Sequence, residues 1–381
     1  MIRRVLLALS SCALMAVASM STAQSSEYRS MLHDFEITPV AEGLEVPWSM
    51  AWLPNGDMLI TERPGRLRIV RNGTLLAASV EGTPEVLHEG QGGLFDVVPH
   101  PDYASNKFVY LSFAKPVGDG STTAVVRGKL ENDRISDLET IYQADSEGRN
   151  GHYGARMAFD AEGYLFISTG DRQAPPAGDL AAHQAQDLSN HAGTIVRLHD
   201  DGRVPSDNPF IGRRDALPEI YSYGHRNPQS LAVHPVTGDV WAGEHGPQGG
   251  DELNIVAPGV NFGWPVVGFG VNYGPGRPIH ALQQQAGMEG PKHYWVPSIA
   301  TSGLMIYSGD LFPNWKGDIF VGGLRGQLLA RVDISDDGKS AVMDESLMVG
   351  IGRVRDVRQG PEGAIYVATE NKGVLKLTPN N

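Results

Sequence analysis

The chain has 381 residues, a formal net charge of −13 and a single cysteine, Cys12. An acidic surface of this strength argues against nucleic acid and anionic membranes as partners, and one cysteine excludes disulfide frameworks and multi-thiolate metal sites. Its 46 glycines and 25 prolines supply many turns, and no stretch sustains a helical period except a trace over Asp179 to Asn190.

In chain order, the first segment is a targeting leader. Arg3 and Arg4 precede an apolar run from Val5 to Val17, and Ser21-Thr22-Ala23 fits a small-x-small cleavage site. The run is too short for a comfortable membrane span. Residues 1–23 are therefore expected to be a signal peptide, with Cys12 removed along with it, and residues 24–381 to be one domain in the periplasm or outside the cell. Loss of Arg3 and Arg4 takes the net charge to −15.

A phrase then returns six times. A turn containing Pro or Gly leads into a run of β-formers that alternates apolar and polar, and a Gly or polar break ends the run. The copies are Leu53 to Val70, His100 to Ala114, Phe159 to Arg172, His234 to Gly246, Phe312 to Val332 and Gly360 to Pro379. Each reads as a hairpin and strand. A β unit recurring about every 45–80 residues indicates an all-β, six-bladed β-propeller with one central channel. Gly170 to Asp215 is poor in strand signals and reads as a long excursion between strands.

Polar clusters sit beside these units. Gln91 lies in a glycine-rich bend ahead of Leu94. Gly151-His152-Tyr153-Gly154 places a histidine, a candidate general base, between glycines. Arg226-Asn227 can clamp a carboxylate and bond a carbonyl. Gly246-Pro247-Gln248-Gly249-Gly250-Asp251-Glu252 offers carbonyl and carboxylate oxygens of the kind calcium takes. Arg325 follows Gly322-Gly323-Leu324. Arg353 and Arg355 fall on one face of a strand, where they would share an anion or acids, with Asp356 placed to orient one of them. Each cluster alone also fits a solvated turn. Jointly they stand near strand ends in different repeats, which a propeller gathers at one mouth, making a pocket for a flat, carboxylate-rich, redox or electrophilic ligand.

From Val46-Pro47-Trp48-Ser49 to the C-terminus the chain resembles the soluble pyrroloquinoline quinone (PQQ)-dependent sugar dehydrogenases, above all the bacterial periplasmic aldose sugar dehydrogenases. The likeness is carried by Gly224-His225-Arg226-Asn227-Pro228, by Gly246-Pro247 with Asp251-Glu252-Leu253-Asn254 and Asn261-Phe262-Gly263-Trp264-Pro265, and by Arg353-Val354-Arg355-Asp356. It implies a six-bladed propeller holding PQQ and Ca2+. His152 would take the proton of the sugar's anomeric hydroxyl while hydride passes from C1 to C5 of the quinone. Arg226 would lie close to the reactive carbonyl and, with Gln91, Asn227, Arg325, Arg353 and Arg355, would hold the cofactor. Carbonyls of Gly246 and Pro247 would ligate the cofactor's calcium. Glu252 and the Phe262 carbonyl would bind a further, structural calcium.

The chain departs from the best-known relative at three positions. Arg325 stands for Lys, Gly151 for Asp ahead of the base, and Arg172 for Gln after the Gly-Asp of the third repeat. The last two positions touch substrate or the cofactor's edge in the resemblance, and Trp295 or His293 loosely matches an aromatic near the substrate. The implied reaction is oxidation of aldoses to lactones with electrons passed to an external acceptor, by a monomer or small homo-oligomer with no membrane span and no nucleic-acid partner. A calcium-dependent propeller lactonase and a non-catalytic binding propeller are the alternatives. The first needs no arginine pair in one pocket, and loss of His152 or of that pair would mark the second.

Overall fold

The structure, a computed structural model, describes residues 26–380 apart from Glu147, Arg149, Asn150, Pro275 and Asp336. The expected leader, residues 1–23 with Cys12, lies outside the described residues. Among the described residues no helix is long and apolar enough to cross a membrane.

The chain forms six antiparallel sheets. Blade one runs from Pro47–Trp52 outward through Met58–Glu62 and Arg66–Arg71 to Thr74–Leu75. Blades two to five repeat the plan from the inner strands Leu94–Pro99, Met157–Phe159, Pro228–Val233 and Thr301–Ile306. Blade six starts at Val354–Gln359, continues through Ile365–Thr369 and Gly373–Pro379, and is completed by Phe35–Ala41 and Ser26–Tyr28 from the other end of the chain. The pairing of Phe35–Ala41 with Gly373–Pro379 closes the ring, so the six-bladed propeller leaves no broken blade.

Every copy of the repeated phrase contains the turn after an inner strand and the second strand beyond it. The second strands Met58–Glu62, Leu165–Thr169, Val240–Glu244, Ile319–Gly323 and Ile365–Thr369 are buried at every position. They lie mid-blade with a neighbouring blade against each face. Six apolar clusters correspond to the six seams: Leu59 and Leu111 meet between blades one and two, Tyr110 and Ile167 between two and three, Phe166 and Leu231 between three and four. Trp241 and Val321 meet between four and five, Phe320 and Val357 between five and six, and Ile60 and Ala368 between six and one.

The stretch from Gly170 to Asp215 is less empty than its sequence suggests. Two 3-10 turns, Leu180–Ala182 and Gln184–Gln186, stand where a helical trace was read, and Thr194–Leu198 is a full strand of blade three. That strand was missed because Thr-Ile-Val-Arg-Leu is short and set among polar residues.

The channel centre is ionic. Arg156, 1% exposed, donates from Nε to the Gln229 carbonyl at 2.8 Å and from Nη2 to the Arg355 carbonyl at 2.9 Å. Its Nη1 lies 3.1 Å from Asp356 and 3.4 Å from Asp96, and its guanidinium stacks 4.0 Å from the Trp48 ring. One side chain of blade three thus touches blades one, two, four and six. Arg358 adds contacts of 2.9 Å to Asp356 and 3.2 Å to Asp96. Asp356 therefore serves this network and does not orient Arg353 or Arg355, as the sequence had suggested: the ladder slips between Val354 and Asp356, which separates its carboxylate from theirs. Arg156→Met would leave two buried carboxylates with one cation between them. We expect a loss of about 3–5 kcal/mol in unfolding free energy, read by denaturant titration; a loss under about 1 kcal/mol would show that the network does not hold the ring.

Candidate functional site

In an up-and-down blade, the loop entering the first strand and the loop leaving the second fall at the same end. Most of the candidate side chains come from such loops, whereas Arg355 lies within the inner strand Val354–Gln359 and Glu252 within Asp251–Val256. Gln91, His152, Arg226 and Arg353 precede the inner strands of blades two, three, four and six. Arg63, Asp171 and Glu370 follow second strands, and Gly246 and Pro247 follow Val240–Glu244.

A cavity of about 460 Å³ opens there, lined by Gln91, His152, Asp171, Arg226, Pro247 and Trp264, with Gln173, Asn272 and Tyr273 on its wall. A second, of about 200 Å³, shares Gln91 and is lined by Trp48, Arg63, Tyr153, His245, Arg353 and Arg355. A third, of about 20 Å³, is bounded by Glu244, Gly246, Pro247, Glu252 and Phe262 and shares Arg226 and Trp264 with the first. Arg226, Arg353 and Arg355, the histidine, the glutamine and all four expected metal ligands thus line these cavities, with Asn227 next to Arg226 in the chain.

His152 is buried, and its Nδ1 lies 2.6 Å from Oδ1 of Asp171. A carboxylate oxygen at that distance is met by N–H, so the proton sits on Nδ1 and Nε2 carries the lone pair. The His152 amide donates to Gln91 at 2.9 Å. Burial first, then the charges of Arg226 and Arg172, hold the imidazole below its ordinary pKa, against the opposing pull of Asp171. Burial pushes Asp171 up, but the charges of His152 and Arg226 and a 2.8 Å bond from the Trp264 indole hold its carboxyl below the usual range. The dyad is set by backbone that L-residues adopt at a cost: His152, Arg172 and Gln173 have φ of 47°, 56° and 60°. Gly170 is needed between them, because a side chain there would run into the His152 carbonyl.

Arg226 donates from Nη1 to the carbonyls of Gly246 at 2.7 Å and His245 at 3.1 Å, and stacks 5.3 Å from the Trp264 ring. Glu244 fixes the loop beneath it, accepting from the Arg226 amide at 2.6 Å and facing His225 Nδ1 at 2.8 Å. Glu252 lines the small cavity beside Glu244. Burial, then the charge of Glu244, raises its carboxyl well above the ordinary range. Two carboxylates that repel each other around room for a single small particle suit a cation. Asn227 accepts from the Gly154 amide at 3.1 Å, while its Nδ2 is buried with no partner among the described residues.

Arg353 and Arg355 share one acid, Glu370, at 2.9 and 2.7 Å. Burial, then the charges of Arg353 and Arg63, push Arg355 down to about 10 despite Glu370. Three guanidinium groups against one carboxylate leave that cavity cationic, and Arg63 Nε is buried without a hydrogen-bond partner among the described residues. A flat, carboxylate-bearing ligand fits this donor set.

Some expected residues lie elsewhere. Arg325 is exposed in the turn after Ile319–Gly323 and lines none of these cavities. Trp295 is packed in the seam between blades four and five and bonds Asp344 at 2.8 Å, with His293 beside it; Trp264 and Tyr273 are aromatics that line the first cavity instead. Arg172 does not present its head to the cavity. It stacks 3.8 Å from the Tyr153 ring and donates to the carbonyls of Gly151, Ser146 and Ser121, tying down the loop that carries His152. Sequence reading passed over Asp171, Arg63, Glu244, Glu370 and the role of Trp264. Only the Gly-Asp that ends the third repeat hinted at the first.

Comparison with known proteins follows the same lines. The profile of the glucose/sorbosone dehydrogenases matches residues 44–377. The chain is 42% identical to an uncharacterised protein of Synechocystis, over 97% of this chain and 95% of that one. It is 41% identical to the aldose sugar dehydrogenase YliI of Escherichia coli, over 89% and 91%. The PQQ-bound form of an aldose sugar dehydrogenase from Streptomyces coelicolor superposes with a TM-score of 0.72 at 26% identity, covering 94% of this chain and 99% of that one.

The dyad geometry makes a prediction about His152 itself. Burial and the nearby arginines hold its pKa below that of an ordinary histidine, so as pH falls the imidazole gains its charge later than a free one would. Asp171→Asn removes the group that favours the charged form, so the midpoint should move lower still. Histidine titration by NMR checks both signs, and an upward shift in the variant would contradict the assigned contact.

Proposed function

The chain belongs to the glucose/sorbosone dehydrogenase family, and from that premise we propose that it is a PQQ- and Ca2+-dependent aldose sugar dehydrogenase that oxidises the C1 hydroxyl to a lactone. The observation that carries this reading is the adjacency of a carboxylate-oriented histidine to a cationic cavity, with Gln91 in the wall of both.

The quinone, when bound, supplies the hydride acceptor, and calcium polarises it. The rest falls to side chains. Arg63, Arg353 and Arg355 would pair the carboxylates of the cofactor, and Asn227, whose Nδ2 has no partner among the described residues, would donate to one of its oxygens. Carbonyls of Gly246 and Pro247 would face the calcium of the cofactor, while Glu252, Glu244 and the Phe262 carbonyl would hold a structural ion in the small cavity. Arg226, fixed by its bonds to the carbonyls of His245 and Gly246, places positive charge where negative charge develops. His152 accepts the hydroxyl proton at Nε2. Asp171 keeps the tautomer and meets the imidazolium charge as it forms, and Trp264 holds Asp171 in turn.

Residues 1–23 as a cleaved leader, and hence a periplasmic or secreted enzyme that takes up its cofactor after export, form part of the same proposal. The electron acceptor is a separate molecule.

The test is reconstitution. Metal-stripped protein should reduce a dye in the presence of glucose only when both PQQ and Ca2+ are added; no quinone binding would turn the argument toward a hydrolase or a binding module. His152→Ala should bind quinone as before and lose roughly 10²- to 10⁴-fold in kcat. Unchanged turnover would remove His152 as the base. Arg355→Ala should weaken quinone binding by roughly 10- to 100-fold in an equilibrium titration followed by absorbance, since each charged hydrogen bond contributes about 1.5–3 kcal/mol.

A further inference from the structure

Gly151 and Gln173 are locked together. Gly151 is buried, and a Cβ added to it would land inside the carboxamide of Gln173, overlapping Cδ, Nε2 and Oε1 alike. Its backbone φ is not in the left-handed range, so the restriction is one of space alone. The Gln173 side chain occupies the volume that any larger residue ahead of His152 would fill.

Gln173 is also held at its backbone. Its φ of 60° fixes the backbone turn, its N–H donates to Asp171 Oδ1 at 2.9 Å, and Pro175 and Pro176 follow closely. The Asp171 oxygen that receives this N–H is the one that meets His152. By contrast, the carboxamide itself has no hydrogen-bond partner among the described residues, although it lines the same cavity as His152 and Arg226. A half-buried amide with a fixed backbone and an unused donor and acceptor suits a hydroxyl-bearing ligand, because one hydroxyl can both accept from Nε2 and donate to Oε1.

Resting on the reading of the site as that of an aldose sugar dehydrogenase, we infer that Gln173 recognises the C2 hydroxyl of the sugar, and that Gly151 exists to admit its carboxamide. The amide lies against the residue next to the base. A sugar whose C1 hydroxyl meets His152 therefore brings the neighbouring carbon, not the far end of the ring, to Gln173. Such a site discriminates against a substrate that lacks the hydroxyl, because the amide is then left unpaired.

The atom nearest the missing Cβ is the end of a flexible side chain, so Gly151→Ala should push the amide aside without unfolding the protein. It should therefore copy Gln173→Ala. The measurement is kcat/KM for glucose, mannose, 2-deoxyglucose and galactose with the PQQ- and Ca2+-loaded wild type, Gln173→Ala, Gly151→Ala and the double variant. Taking ratios between sugars cancels general damage to His152. The preference for glucose over 2-deoxyglucose should fall by roughly tenfold or more in each single variant, and no further in the double. An independent reading is the crystal structure of ligand-free Gly151→Ala, in which the Gln173 amide should be rotated out; an amide still in place, with the backbone displaced instead, overturns the wedge. Unchanged sugar ratios, additive effects in the double variant, or a loss confined to the C4 epimer galactose overturn the assignment of Gln173 alone. Failure of the unaltered chain to oxidise any aldose overturns the dehydrogenase reading beneath it.

Discussion

A propeller must fill its own axis, and here the axis is filled by charge. Arg156 has five donors and no freedom to lose a proton, and it is surrounded by two buried carboxylates, two backbone carbonyls and a tryptophan face drawn from four other blades. Burying these groups singly would be costly, but as a mutually satisfied set they fix the rotation of each blade about the axis. Blade five joins through hydroxyls: Ser302 donates to the Val354 carbonyl at 2.7 Å, and Ser230 donates to that of Ser302. Everything at the mouth inherits its position from this floor. The carbonyl that Arg156 holds in blade six belongs to Arg355, whose guanidinium lines the cationic cavity above.

The mouth obeys a second rule, that cations are matched by fewer acids than they need. Glu370 serves two arginines, Asp171 serves a histidine that is neutral at rest, and Glu244 is engaged by His225 and the Arg226 amide. The imbalance costs stability. It also leaves room for a ligand to bring the missing negative charge, and it adds to burial in disfavouring the charged form of His152. The small cavity leans the other way: Glu244 and Glu252 stand together in its wall, and the charge of Glu244 helps to raise the Glu252 carboxyl, so it suits a partner of the opposite sign.

The sequence shows these features unevenly. The six hairpins are local and announce themselves by turn chemistry, so the propeller and its blade count are readable. Gln91, His152, Arg226 and Arg353 are readable for a similar reason: each stands at a glycine-marked bend just before an inner strand, and Arg355 follows two residues on, inside its strand. Their acids are not. Glu370 and Glu244 sit at the ends of ordinary second strands, and Asp171 lies 19 residues from its histidine, joined to it only by blade three. Strand Thr194–Leu198 hid because its neighbours are polar, and the glycines around Arg325 mark its bend without telling that its side chain turns outward, lining none of the three cavities. The partnership of Gly151 with Gln173 is wholly three-dimensional.

The seam that closes blade six joins Phe35–Ala41 to Gly373–Pro379, the two ends of the described chain. Chain entropy for such a closure grows only slowly with the length enclosed, so equilibrium tolerates it. Kinetics is less forgiving. Until those strands meet, each offers a bare row of amides and carbonyls to other chains, and pairings this distant in sequence form slowly. The same blade supplies Arg353 and Arg355. A molecule caught before closure is therefore both sticky and deprived of half its cationic cavity, so completeness of the ring and competence of the mouth are a single event in the life of the protein.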